Sequence, residues 1–202
     1  MPLTNAYTTL AALKSRLHLA GSEQDGRLES TITTASRQID QHTGRRFYAA
    51  SETRYYSALS PYFIHLPDDL LSVTTLKTDE DGDRTFEVTW SSGRDYYLWP
   101  DNATLDGRPY EVIRVDIPNG LYAFPTTVQR GVQVVGSFGY CATGSHPPAI
   151  EEACLRLSER LFMLSNAPLG VTGSPELGLM RVASDRDLMD LLWPYTRRRG
   201  FA

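Results

Sequence analysis

Apolar positions recur every three or four residues up to Gly44, and roughly every two from there to about Tyr140. The first regime is helical. Tyr7 to Leu17 predicts a short helix with Leu10, Leu13 and Leu17 on one face and Thr8 or Thr9 placed to cap its start. Ser22-Glu23-Gln24-Asp25 has the form of a capping box. Leu28, Ile32, Ala35 and Ile39 then form the stripe of a second helix, and Gly44 suits the left-handed position just past its end. The second regime predicts strands at Thr53–Tyr56, Tyr62–Leu66, Ser72–Lys77, Arg84–Trp90, Tyr96–Leu98, Glu111–Ile117 and Val132–Phe138. Turn signals separate them: Pro67-Asp68-Asp69, Asp81-Gly82-Asp83, Ser92-Gly93, Asp106-Gly107 and Pro118-Asn119-Gly120.

The helical period returns at Pro147-Pro148, where Ile150, Ala153, Cys154, Leu157, Leu161 and Leu164 make one apolar face. Asn166 to Ala183 is rich in Gly and Pro and predicts a long mobile loop. Ser184 and Asp187 repeat the capping-box form and open a short helix through Leu188, Leu191 and Leu192, which Trp193-Pro194 ends. The expected fold class is α+β: a discontinuous α-helical bundle of three to four helices carrying an antiparallel β-rich insert, a small sandwich or barrel. The expected division is 1–46 and 147–193 as helical core, 47–146 as insert, 166–183 as mobile loop, and 194–202 as a C-terminal docking tail.

Composition narrows the function. At 202 residues, 41% hydrophobic and 22% charged, the chain can bury a core. It has no apolar run of membrane-spanning length and no basic region followed by an apolar core, so synthesis in a cytoplasm is expected and a membrane is not. A net charge of −4 does not suit a protein that coats duplex DNA. Lys14 and Lys77 are the only lysines; arginine-rich interfaces and a GC-rich genome both account for that. Two cysteines, Cys141 and Cys154, make no disulfide framework.

No catalytic constellation emerges. The four histidines, at 18, 42, 65 and 146, have no metal-ligand spacing. Asp79, Asp81 and Asp83 alternate like the start of a calcium loop, but Arg84 and Trp90 stand where Gly and Glu are needed; an acidic hairpin tip fits better. Gly136-Ser137-Phe138-Gly139 has its serine one residue out of place for a nucleophile elbow. Asp68-Asp69 and Glu151-Glu152 read as a turn and the first turn of a helix. No enzyme activity and no cofactor are expected. The insert's aromatics, among them Tyr55, Tyr62, Phe63, Trp90, Tyr97 and Trp99, read as core and interface, or as a sugar- or base-stacking surface.

Several stretches together resemble the head–tail connector, or adaptor, proteins of tailed phages and gene transfer agents. ASRQIDQHTGRRFY resembles the family's second helix and following turn, and YFIHLPDDLLSVTTL the strand pair opening its insert. DYYLWPDNATLDGRPYEVIRVDI resembles its later strands, and VVGSFGYCATGSHPPAIEEACLRLSERLF the return into the third helix. NAPLGVTGSPELGLMRV and DLLWPYTRR resemble its loop, last helix and tail. The resemblance covers most of the chain and rests on the order of weak motifs; the insert is longer than in the smallest members. It implies a structural virion protein of the neck. Such a protein forms a homo-oligomeric, twelve-subunit ring beneath the portal protein and extends the DNA channel. It passes double-stranded DNA without sequence-specific binding and joins the capsid to a stopper or tail-completion protein. Carried over by position, the portal-facing residues are Leu188, Leu191, Trp193, Tyr195, Arg197, Arg198, Arg199 and Phe201. Pro168, Val171, Leu177, Met180 and Arg181 belong to a loop touching neighbouring subunits or the portal. The alternatives are a stopper or tail-completion protein, and a β-domain module that binds glycan or a host surface.

Overall fold

The computed structural model describes residues 3–166 and 186–197. It is α+β, with four α-helices and six strands among the described residues, and it divides into two compact units. One comprises residues up to Arg45 and from Gly144 onward; the other is Arg46–Thr143.

In the first unit α1 spans Leu10–Arg16, α2 Asp25–Thr43, α3 Pro148–Asn166 and α4 Arg186–Leu192, and α4 runs into a 3₁₀ turn, Trp193–Tyr195. Thr9 caps α1, its Oγ1 accepting from the Ala12 N–H at 3.1 Å. Tyr7, expected inside that helix, lies before it and is buried; its N–H donates to Ser36 Oγ at 3.1 Å and its hydroxyl to Asp40. The Ser22 capping box does not form. Gln24 holds the cap position of α2 without a side-chain bond, and Ser22 accepts from Asp25 through its backbone carbonyl instead. Asp25 is drawn to Lys14 at 2.7 Å, which accounts for its place in the first turn. The stripe Leu28, Ile32, Ala35 and Ile39 is fully buried. Each large aliphatic side chain there contributes roughly 1.5–3 kcal/mol by leaving water. Gly44 ends α2 at φ 65°, its N–H donating to Asp40 O at 2.8 Å. On α3, Ile150, Ala153, Cys154 and Phe162 are buried, whereas Leu157, Leu161 and Leu164 are half-buried. α1, α2 and α3 pack on one another, and α4 on α3.

In the second unit the strands are β1 (Ala50–Tyr56), β2 (Phe63–Thr78), β3 (Val88–Trp90), β4 (Tyr96–Trp99), β5 (Tyr110–Val115) and β6 (Val132–Phe138). All pair antiparallel, in the order β1-β6-β2-β5-β4 with β3 also on β2. The two strands expected at Tyr62–Leu66 and Ser72–Lys77 are one strand of 16 residues. Pro67 falls where the β2–β5 register shifts, between His65 and Leu70, so the N–H it lacks is not needed by the ladder. The strand expected at Arg84–Trp90 shrinks to three residues, because the chain before it is held in a loop by aspartate contacts. Side chains of one parity, including Ile64, Leu76, Tyr96, Ile113, Val134 and Phe138, form one buried cluster.

Candidate functional surfaces

The tail assignment begins with α4. Leu188 and Leu192 are buried and hold the helix down, and Leu191 is half-buried. Met189 and Trp193, one turn apart, face solvent, Trp193 at 68% exposure. Pro194 fits the start of the 3₁₀ turn, where no N–H is required, and Tyr195 is half-buried. The Thr196 hydroxyl donates to Leu192 O at 3.1 Å. The Arg197 N–H donates to Thr43 O at 2.7 Å, tying the chain to the last turn of α2. Of the portal-facing candidates, then, Leu188 serves the interior, Trp193 projects, and Leu191, Tyr195 and Arg197 lie between. Arg198, Arg199 and Phe201, and the loop candidates Pro168, Val171, Leu177, Met180 and Arg181, lie outside the described residues, as does Ser184 of the second capping box.

The insert's aromatics divide by strand parity. Tyr56, Trp90, Tyr96 and Phe124 are core; the Trp90 and Phe124 rings stack at 4.6 Å, and Trp90 Nε1 donates to Thr78 Oγ1 at 3.0 Å. Phe63, Tyr97 and Trp99 stay 36–41% exposed. Register brings them together: Phe63 and Tyr97 both pair with Arg114, and His65 and Trp99 both pair with Val112. The Arg114 guanidinium lies 4.9 Å over the Trp99 ring and has no carboxylate partner among the described residues. The resulting face is aromatic and cationic. Alternation within Tyr96-Tyr97-Leu98-Trp99 hints at it; the missing counter-ion does not show in sequence.

A second charged group is fully paired. Arg54 on β1 donates to Glu52 at 2.6 and 2.8 Å and pairs with Asp68 of β2. Arg46 reaches the other Glu52 oxygen at 2.7 Å. The Arg46 hydrogen bond, outweighing burial and helped by Arg54, holds the Glu52 carboxyl below its ordinary range. Burial opposes the Arg54 charge, but Asp68 and Glu52 more than compensate and raise its pKa. Burial, with Asp68 nearby, pushes the Tyr56 phenol up. This cluster fastens β1 to β2, and its perturbed groups follow from those pairings.

Asp79, Asp81 and Asp83 bring their carboxylates within 4.8 Å of one another. Each is occupied as a turn former. Asp79 accepts from the Gly82 and Arg84 N–H groups at 2.7 and 2.9 Å, Asp81 from Asp83, and Asp83 from Thr85 at 2.6 Å. Gly82 at φ 86° permits the reversal. The loop joins β2 to β3 and borders an open cleft of about 620 Å³ shared with residues 127–130. The Tyr55 and Phe86 rings lie tilted there with centroids 5.6 Å apart, and Arg130 sits over the Tyr55 ring. No other group of three His, Cys, Asp or Glu side chains among the described residues is close enough to share an ion.

The cysteines carry no chemistry. Cys154 is buried beside Ser36 and Ser158, and Cys141 donates to Phe47 O at 3.3 Å; burial pushes the Cys141 thiol up to about 11. No described helix is long and apolar enough to cross a membrane.

No family model and no curated protein matches the chain. Solved structures do. Over 100% of this chain, the fold is similar to a chain of the neck of an empty gene transfer agent particle computed with C6 symmetry. The TM-score is 0.62, the identity 16%, and 95% of that chain is covered. A chain from the neck of the native particle, computed with C12 symmetry, gives 0.59 at 16% identity with 94% covered. One from the virion of the native particle gives 0.58 at 17% with 95% covered. Identities this low establish a shared fold.

Proposed function

We propose that this chain is a structural protein of a virion or gene transfer agent neck, acting as a head-to-tail adaptor rather than an enzyme. The observation that carries the reading is end-to-end likeness to neck chains, which extends through the β unit as well as the helices. A neck computed with C12 symmetry supports a homo-oligomeric ring of twelve. In that ring residues 1–46 and 147–193 form the helical bundle, and the β unit is a rolled sheet of the barrel kind. The ring sits beneath the portal protein, extends the channel and offers a platform to a stopper or tail-completion protein. A net charge of −4 suits a conduit that lets duplex DNA slide without gripping it. Four helices favour the adaptor over the stopper role, which goes with mostly β proteins.

Trp193 is the portal anchor within the described tail: a large exposed aromatic on a segment fixed from both sides, by Leu192 and by the Arg197–Thr43 bond. Arg197 to Phe201 continue the docking segment. Mixing the purified chain with its portal and imaging the complex by electron microscopy tests the reading. A ring seated on the portal, lost when residues 194–202 are removed, is the expected result. A ring that survives the deletion moves the anchor to residues 168–181, and no complex at all rejects the adaptor role.

A further inference from the structure

A closed ring needs two unlike patches on each subunit, so that one meets the other on the next copy. Resting on the ring reading, we propose that the aromatic face around Arg114 receives the acidic β2–β3 loop of a neighbouring copy of this chain. The face offers Phe63, Tyr97 and Trp99 partly exposed around a guanidinium that no carboxylate among the described residues neutralises. Asp116, two residues further along just past the end of β5, accepts from Asn119 Nδ2 at 3.1 Å. Aromatic rings around an arginine are the composition of an interface anchor, and that arginine calls for a carboxylate.

The loop supplies carboxylates in excess. Asp79, Glu80, Asp81 and Asp83 stand there against one cation, Arg84. Glu80, Asp81 and Asp83 are exposed, and Glu80 makes no hydrogen bond or ion pair among the described residues. Asp79 is buried and clamps the loop through two backbone N–H groups, so the tip is presented already shaped. That lowers the ordering cost of docking.

Position in the fold makes the two patches suit a head-to-tail contact. Phe63 begins β2 and Thr78 ends it, with the acidic loop immediately after. At about 3.3 Å per residue the strand separates them by up to roughly 50 Å of contour. A single chain therefore does not satisfy Arg114 with its own loop, whereas a neighbour in the same orientation presents loop to face all round a ring.

The test uses the full chain with its portal. Arg114→Glu, and separately Glu80→Arg with Asp81→Arg, are scored for rings by electron microscopy and for self-association by sedimentation. Asp79, which holds the loop, is left intact, and unchanged circular dichroism confirms folding; Arg114→Met replaces Arg114→Glu if the latter unfolds. Each reversal is expected to weaken association at least roughly tenfold, since like charges then meet across the contact. Combining both in one chain is expected to restore rings, because the charges are exchanged. Intact rings with either reversal overturn the contact and leave the neck reading standing. So does loss in both single reversals without rescue in the combination. Rings that form normally with Arg114→Glu but no longer bind the next neck protein also overturn it, and assign the face to that protein. A wild-type chain that never forms rings rejects both readings together.

Discussion

Two arginines show how differently the two units use charge. In the helical unit, Arg16 at the end of α1 donates to Glu159 at 2.7 Å and to Glu152 at 3.1 Å, while Arg156 secures Glu152 from the next turn. The Glu159 hydrogen bond, opposed by burial and aided by Glu152, raises the Arg16 pKa. That guanidinium joins two helices distant in sequence. In the β unit, Arg114 rests on Trp99 and pairs with no acid among the described residues, and the carboxylates that would match it are gathered past the far end of β2. A charge matched within its own unit adds to that unit's stability. An unmatched one beside exposed aromatics adds little and is free to be matched by another molecule. The difference separates groups that build the subunit from groups available to an assembly.

The largest break in that comparison comes from removing what both units share, a dry interior. Ile32→Ala on α2 and Leu76→Ala on β2 each delete a fully buried side chain. Each is expected to cost about 2–5 kcal/mol, by lost transfer energy and by the cavity left. Chemical denaturation followed by circular dichroism measures this. Losses below about 1 kcal/mol would mean that the site collapses around the deletion, and that these positions are less tightly packed than their burial indicates.

An intermediate effect belongs to the paired network. Arg54→Met keeps an unbranched apolar side chain and removes the guanidinium, which lies 4.5 Å over the Phe138 ring and is shared by Asp68 and Glu52. The expected cost is about 1–3 kcal/mol, because half-buried acceptors lose charged donors. Glu52 fixes the sign of the accompanying pH dependence. Its folded pKa lies below the ordinary 4.5, so the stability it contributes is complete above the unfolded value and is lost as pH falls through the folded one. Thermal midpoints measured from pH 7 down to pH 3 are expected to drop below about pH 4.5. Glu52→Gln should flatten that drop at the expense of stability at neutral pH, and an unchanged slope would assign the acid sensitivity to other carboxylates.

How far all this was legible in the sequence depends on the range of the contacts. The α2 stripe and the Gly44 stop could be read directly, because a helix buried along one side imposes its own period and its end demands a left-handed residue. β2 was misread as two strands. Pro67-Asp68-Asp69 carries turn chemistry, but here the proline occupies a register shift and Asp68 is engaged by Arg54 across the sheet. The Ser22 box failed for a related reason: Asp25 has a partner in Lys14 outside the local motif. Alternation divided Tyr96 from Tyr97 without saying which side was dry. The solitude of Arg114 depends on what β2 and β4 place around it, and no local window contains that.

The smallest expected effect makes the sharpest test. Trp99 is 36% exposed, and its described ring contact is with Arg114. Were the face part of the subunit's own fabric, Trp99→Ala would cost as much as a core truncation. If it is a surface held for a neighbour, the change removes a cation–π contact and the burial of the covered part of a ring that is already 36% exposed. The expected loss in the isolated chain is then about 1–2 kcal/mol, below that of a core truncation, read from the denaturation midpoint. The same substitution in the assembling chain should weaken association strongly, as truncating a central aromatic does in an interface. Stability and assembly thus move apart at Trp99 and together at Leu76, since a chain that unfolds cannot assemble. A Trp99→Ala chain that loses both would place this face with the core, and Arg114 would then be a structural cation resting on a structural ring.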